Sequence, residues 1–316
     1  MTDASTSTKT VPTAALPPSD SDVPPGAEDR RPTVRPRGRQ LRAKVGSVLK
    51  HAGLIAFGFV MLYPLLWMLA SSFKPNALIF REPGLIPTDI DLSNYTDGWN
   101  ALLHPFSHYL INSAIVVLGS VLGNLLSCSL AAYAFGRLKF RGRNLLFAIM
   151  LATIMLPFQV VLVPQFTIFK ELGWINTFLP LIVPKFLATD AFFIFLMVQF
   201  IRTLPRELDD AARMDGCGHL GIFRRIVLPL SIPALGTTAL FTFISTWNDF
   251  LGPLLYLVRP ETWTVAQGLN GFLDATGESA YGPLFAMATL SLAPIVGFFL
   301  VAQRLLIEGI ATSGLK

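Results

Sequence analysis

Residues able to do chemistry are sparse in this chain, and their setting matters more than their number. Asn112, Asn124, Gln159, Gln165, Asp190, Asn248 and Asp249 interrupt otherwise apolar stretches. Buried alone in hydrocarbon, each would cost several kcal/mol, so each must meet a partner or line a watered path. Gln159, beside Pro157, together with Asp190 and Asn248, are the candidate path residues. A hydrogen bond between helices is the competing role for all three. His104 and His108 are four apart, the spacing of a helical metal pair, but Pro105 lies between them and they read as surface residues. No metal site is expected.

Catalytic groups are not expected either. The sequence has no GxxxxGK[ST] or GxGxxG phosphate loop and no nucleophile elbow, so it binds no nucleotide cofactor of its own. Cys128 lies in an apolar segment and Cys217 in a polar loop, which makes a disulfide between them improbable on spacing alone.

The stretch Thr203 to Pro233, TLPRELDDAARMDGCGHLGIFRRIVLPLSIP, is made differently. Pro205 can open a helix, where a missing N–H costs nothing, and Glu207, Asp209 and Asp210 put negative charge at the positive end of its dipole. Gly216 closes it. A second short run, Leu220 to Leu228, carries Arg224 and Arg225 and stops before Pro229. Ala211 and Ala212 offer a shallow face and Leu208 and Met214 add apolar anchors, which is docking chemistry.

The elements holding these residues are membrane helices. The chain is 52% hydrophobic and only 14% charged, with 25 Phe, against roughly a quarter charged in soluble domains. A span needs about 20 apolar residues. Six candidates run approximately over 52–72, 109–135, 145–168, 186–201, 231–257 and 284–303. The approach to the fourth, FLPLIVPKF from Phe178 to Phe186, has two prolines and a lysine and suits an interfacial or broken segment. The expected architecture is therefore an all-α membrane protein.

Of the 25 Lys and Arg, nineteen fall in Arg30–Lys50, the 137–143 loop, the 202–225 stretch and the C-terminus, Lys9 stands apart far up the tail, and Lys74, Arg81, Lys170, Lys185 and Arg259 lie opposite. That asymmetry predicts cytoplasmic N- and C-termini. Residues 1–45 are rich in Thr, Ser, Pro, Asp and Arg with little to bury, and read as a disordered cytoplasmic tail ahead of a membrane domain over 46–316. The basic excess falls in membrane-flanking loops, so no nucleic-acid partner is expected. Of the external loops, the first, near Lys74 to His108, is long enough to pack as a cap. The last, Arg259 to Pro283, carries glycines that allow close approach to a partner or serve a flexible connector.

The run DAARMDGCGHLGIFRRIVLP, the preceding TLPREL, the later TFISTWNDFLGPLL and the ending QRLLIEGIATSGLK resemble ABC importer permeases of the carbohydrate-uptake subfamily, specifically the maltose-type second inner-membrane subunit. The likeness covers nearly everything after residue 50. It implies a six-span type I importer permease whose loop 203–233 docks a cytoplasmic ATPase through Glu207, Asp210, Ala211, Ala212, Met214, Asp215, Gly216, Leu228 and Pro229. The family's glutamate is here Asp210, a shorter acid that keeps the charge. The resemblance further implies a second, homologous permease, an ATPase dimer that holds ATP and magnesium, and an extracytoplasmic solute-binding protein touching Gly268, Asn270 and Gly271. The C-terminal Ala311 to Lys316 would also meet the ATPases. The solute would be a mono- or oligosaccharide or related polyol or glycoside, and the location a bacterial or archaeal plasma membrane. Rival classes are an importer permease for a non-sugar solute, a proton-coupled secondary transporter, and a membrane enzyme.

Overall fold

The computed structural model of the protein describes residues 37–273 and 280–313. The expected tail falls largely outside them, as do residues 274–279 of the last loop and the end of the C-terminal segment. The chain divides into two units, residues 1–60 and 61–316. Helix α1 (Arg37–Ser71) supplies the described part of the first and begins inside the segment assigned to the tail.

The second unit continues through α2 (Ser93–Asn100), α3 (Phe106–Arg137), α4 (Arg143–Thr153), α5 (Phe158–Glu171), α6 (Leu179–Phe186) and α7 (Ala191–Thr203). Then come α8 (Glu207–Met214), α9 (His219–Leu230), α10 (Ile232–Trp247), α11 (Leu251–Tyr256), α12 (Val265–Asn270) and α13 (Tyr281–Ser313). Helix α9 holds a π-type turn over Phe223–Val227. Among the described residues four segments are long and apolar enough to cross a membrane, or up to six if each of two bent pairs is one span.

Helix α3 is the centre of the bundle, packed by α6, α7 and α10. Its 32 residues invert the pattern of a soluble amphipathic helix. Ile111, Ile115, Leu118, Leu122 and Leu126, at spacings of three and four, are exposed. Ser113, Ser120, Gly123, Asn124, Ser127 and Ala132 face inward. Small residues inside let backbones approach, which is how membrane helices gain contact when lipid is as apolar as leucine. At Gly123 a Cβ would lie 2.7 Å from the Phe186 ring, so only glycine admits α6 here.

Two expected continuous spans are broken. Residues 145–168 form α4 and α5, bent by 98° with Pro157 at the N-cap of α5. Proline lacks an N–H and pushes the preceding residue out of the helical region, so the turn opens into a full break. Residues 231–257 end their first helix at Trp247 and restart at Leu251, while α9 and α10 meet at 74°. The expected stop before Pro229 is also moved: the helical run continues through it to Leu230.

The fourth span reaches further back than expected, over Leu179–Thr203, and is interrupted between α6 and α7. Lys185, counted above with the outer charges, lies within it. The first long loop does pack: Lys74 is buried and its Nζ donates to the Glu82 and Gly84 carbonyls at 2.6 Å each. Asn94 of α2 donates to the Ser72 and Lys74 carbonyls.

Candidate functional site

A cavity of about 480 Å³ opens where the broken helices meet. Its polar wall is Gln165, Lys185, Asp190, Ser245, Thr246 and Asp249, and Phe158, Phe169 and Tyr256 add ring faces. They come from α5, α6, α10 and α11 and from the breaks beside them: α5 starts after Pro157, the chain is interrupted between α6 and α7, and α10 ends before α11. Irregular backbone at membrane depth survives only where it lines a cavity or is buried in protein.

The break before Asp190 is tightly specified. Ala188 sits at φ 55, a left-handed conformation that a residue with a Cβ adopts at a cost of about 1–2 kcal/mol. Thr189 Oγ1 donates to the Pro184 carbonyl at 2.9 Å and Ser127 Oγ to the Lys185 carbonyl at 2.6 Å, satisfying acceptors freed at the end of α6. Lys185 Nζ is 2.9 Å from Asp190 Oδ2, and Asn124 Nδ2 donates to the same oxygen at 2.6 Å. Asn124 Nδ2 also reaches Thr242 Oγ1 of α10 at 3.1 Å. A carboxylate held by an ammonium and an amide is a fixed acceptor that can take hydroxyl donors from a solute.

Of the three expected path residues, only Asp190 lines this cavity. Gln159 is exposed on α5. Gln165, six residues on and so about 240° round the helix, is the amide on the wall. Asn248 is exposed and its Nδ2 donates to the Ile244 carbonyl at 2.8 Å, while its neighbour Asp249 faces the cavity. Ser245 lies in the last turn of α10 and Asp249 in the break after it, so their spacing of four carries a signal for that wall only if the helix is read as continuing.

Helix α8 follows α7 and starts beside the end of α3, where Asp209 lies near Arg137. It begins at Glu207, two residues after Pro205, and ends in a Schellman motif: Gly216, at φ 81, donates to the Arg213 carbonyl at 3.0 Å and Cys217 to the Ala212 carbonyl at 2.9 Å. Glu207, Leu208, Asp210, Ala211, Met214, Asp215 and Pro229 are exposed, Met214 to 89%. The two alanines diverge, as successive helical residues must: Ala211 points out and Ala212 packs against the core that includes Tyr133, Ile201, Ile222 and Phe223. Leu228 is half-buried against that core.

The described part of the last loop packs around α12. Asn112 of α3 donates to the Glu261 and Trp263 carbonyls at 3.0 and 2.9 Å, and Ser113 Oγ accepts from Val265 N at 2.8 Å. Gly268 is buried against the Tyr109 ring, whereas Asn270 and Gly271 are exposed.

A helical membrane bundle whose spans break around a polar cavity, with an acidic helix exposed between two of them, has the build of a transport subunit. The family described as binding-protein-dependent transport system inner membrane component matches residues 123–311. The chain belongs to that family. It is similar to the probable ABC transporter permease protein YurM of Bacillus subtilis, 34% identical over 272 residues, 86% of this chain and 89% of that one. It is likewise similar to the trehalose/maltose transport system permease protein MalG of Thermococcus litoralis, 33% identical over 270 residues, 85% and 96% of the two chains. A solved chain from a bacterial ABC transporter involved in import of the acidic polysaccharide alginate aligns with a TM-score of 0.71 at 25% identity, covering 83% of this chain and 96% of that chain. The protein is thus a multi-pass inner-membrane component of a transport system.

Proposed function

We propose that this chain is one of two permease subunits of an ATP-driven importer for a saccharide or related polyol or glycoside. Each bent helix pair counts as one span in this reading, giving six, with both termini cytoplasmic. The second permease completes the path, the solute-binding protein delivers from outside near Asn270 and Gly271, and an ATPase dimer receives α8. The observation that carries the reading is α8 itself. It exposes Met214 and Leu208 among Glu207, Asp210 and Asp215, an apolar and acidic surface with no work to do in a lone bundle. The cavity, with its fixed carboxylate, amide, hydroxyls and ring faces, supports a polyhydroxyl solute. The relatives named for trehalose/maltose and alginate point the same way.

A proton-coupled carrier would need paired intramembrane charges, and Lys185–Asp190 is such a pair. Proteoliposome uptake decides between them. The complete complex should import saccharide only with ATP inside the ATPase compartment, and the lone chain should move none down a proton gradient. Gradient-driven uptake by the lone chain overturns the importer reading.

A further inference from the structure

We propose that Arg137 and Asp209 form the strut through which movement of α8 reaches the Asp190 cavity, with α3 as the rod. This rests on the reading of α8 as the ATPase-facing helix.

Arg137 is the last residue of α3 and Asp209 lies in the first turn of α8. Their side chains are only 4% and 7% exposed, with Arg137 Nη1 3.7 Å from Asp209 Oδ2. Nη2 of the same guanidinium donates to the Leu204 carbonyl at 2.8 Å. One side chain therefore holds both the α7–α8 connection and the start of α8. Such charges are costly to bury, and removing one partner alone leaves the other uncompensated, so the pair constrains how α8 sits against the end of α3.

The other end of the rod is equally specific. Asn124 lies thirteen residues before Arg137, about 20 Å along a straight helix, and bonds Asp190 and Thr242 on two different helices. Between the two grips, Tyr133 Oη donates to the His219 carbonyl at 3.1 Å, so α9 is held to the same helix. Displacement of α8 is thereby passed to α3 by hydrogen-bonded and ion-paired groups, not by apolar contact alone, and α3 carries Asn124 with it.

The strut also has a second arrangement open to it. At 3.7 Å the pair is beyond hydrogen-bond length, and Arg137 Nε and Asp209 Oδ1 are buried with no hydrogen-bond partner among the described residues. A guanidinium and a carboxylate can close to a two-point contact, so this pair can tighten as α8 is pressed toward α3. Coupling needs an element with two discrete states, and this one sits at the joint.

The test uses the assembled complex in detergent with Cys217→Ser and Ser245→Cys, which places a thiol on the cavity wall. The readout is the alkylation rate with a maleimide, with and without ATP plus vanadate. With Arg137 and Asp209 intact, nucleotide should change that rate at least fivefold. Arg137→Met with Asp209→Leu, an apolar pair that removes the buried charges together, should assemble normally yet lose the nucleotide response. Asp209→Asn, which keeps the shape, should reduce the response by half or more and provides the measurement if the double variant does not assemble. An unchanged response in the double variant, or in Asp209→Asn, overturns the strut while leaving the role of α8 standing. No nucleotide response with both residues intact overturns the role of α8 and the strut with it.

Discussion

Asn124 Nδ2 lies 2.6 Å from Asp190 Oδ2, joining the middle of α3 to the interruption between α6 and α7. Asn124 is fully buried, and the carboxylate it holds is also Lys185's partner at 2.9 Å, so one interaction fixes both the break and the charge at the cavity wall.

Replacing Asp190 with Ala should therefore cost more than one hydrogen bond. It leaves the Lys185 ammonium without its carboxylate and the buried Asn124 amide without one acceptor, at about 1–3 kcal/mol after discounting for the partial exposure of the ion pair. A fall in the thermal midpoint of the purified complex, together with loss of solute uptake, is expected. Asp190→Asn should recover most of the stability and little of the uptake. Equal recovery of both would show that the negative charge is immaterial to transport.

At Ala188 the prediction concerns backbone. Its φ of 55 is tolerable for Ala and poor for a β-branched side chain, so Ala188→Val should destabilise by about 2 kcal/mol or more while Ala188→Gly is tolerated. Paired melting curves of the two variants measure this, and a Val variant as stable as Gly would mean that the break relaxes freely.

Much of this is legible in the amino-acid sequence. A lipid-facing chain announces itself in composition, and α8 was bracketed because a helix start rich in acids and a closing glycine are local signals. The broken spans were legible only in part, at Pro157 and in the two prolines of FLPLIVPKF, because hydropathy averages across a break and Ala188 carries no mark of a left-handed turn. Lys185 is counted with the outer charges because a lysine beside two prolines reads as an interfacial or broken segment, and the meeting with Asp190 makes it a wall residue. Gln165 and Asp249 were visible as polar residues. Choosing them over Gln159 and Asn248 required knowing which way each helix faces after its break.

On α8, the surface contribution of Met214 can be separated from folding. At 89% exposure its side chain makes little contact within the chain, so Met214→Ser should shift stability by no more than about 0.5 kcal/mol. If α8 docks the ATPase, the same change should weaken co-purification of the ATPase with the permease pair. Full retention of the ATPase would argue that Met214 lies outside the contact.

Gly216 supplies the sharpest separation of backbone from bulk. A Cβ there meets nothing within 4 Å, yet φ is 81, so the cost of Gly216→Ala comes from conformation alone, about 1–2 kcal/mol. That strain is local to the Schellman motif, where Gly216 and Cys217 donate to the Arg213 and Ala212 carbonyls, and it should unwind the last turn of α8 without disturbing the bundle. Membrane insertion and the melting of the bundle should therefore be close to unchanged. If α8 docks an ATPase as proposed, uptake should fall severalfold with hydrolysis of ATP persisting, because the docking helix loses its end while the ATPase keeps its own chemistry. Gly216→Asn distinguishes this from any effect of size: asparagine is larger than alanine but tolerates the left-handed region, so it should retain more uptake than Ala. If uptake instead declines in order of side-chain volume, with Asn below Ala, a partner surface and not the backbone sets the requirement for glycine.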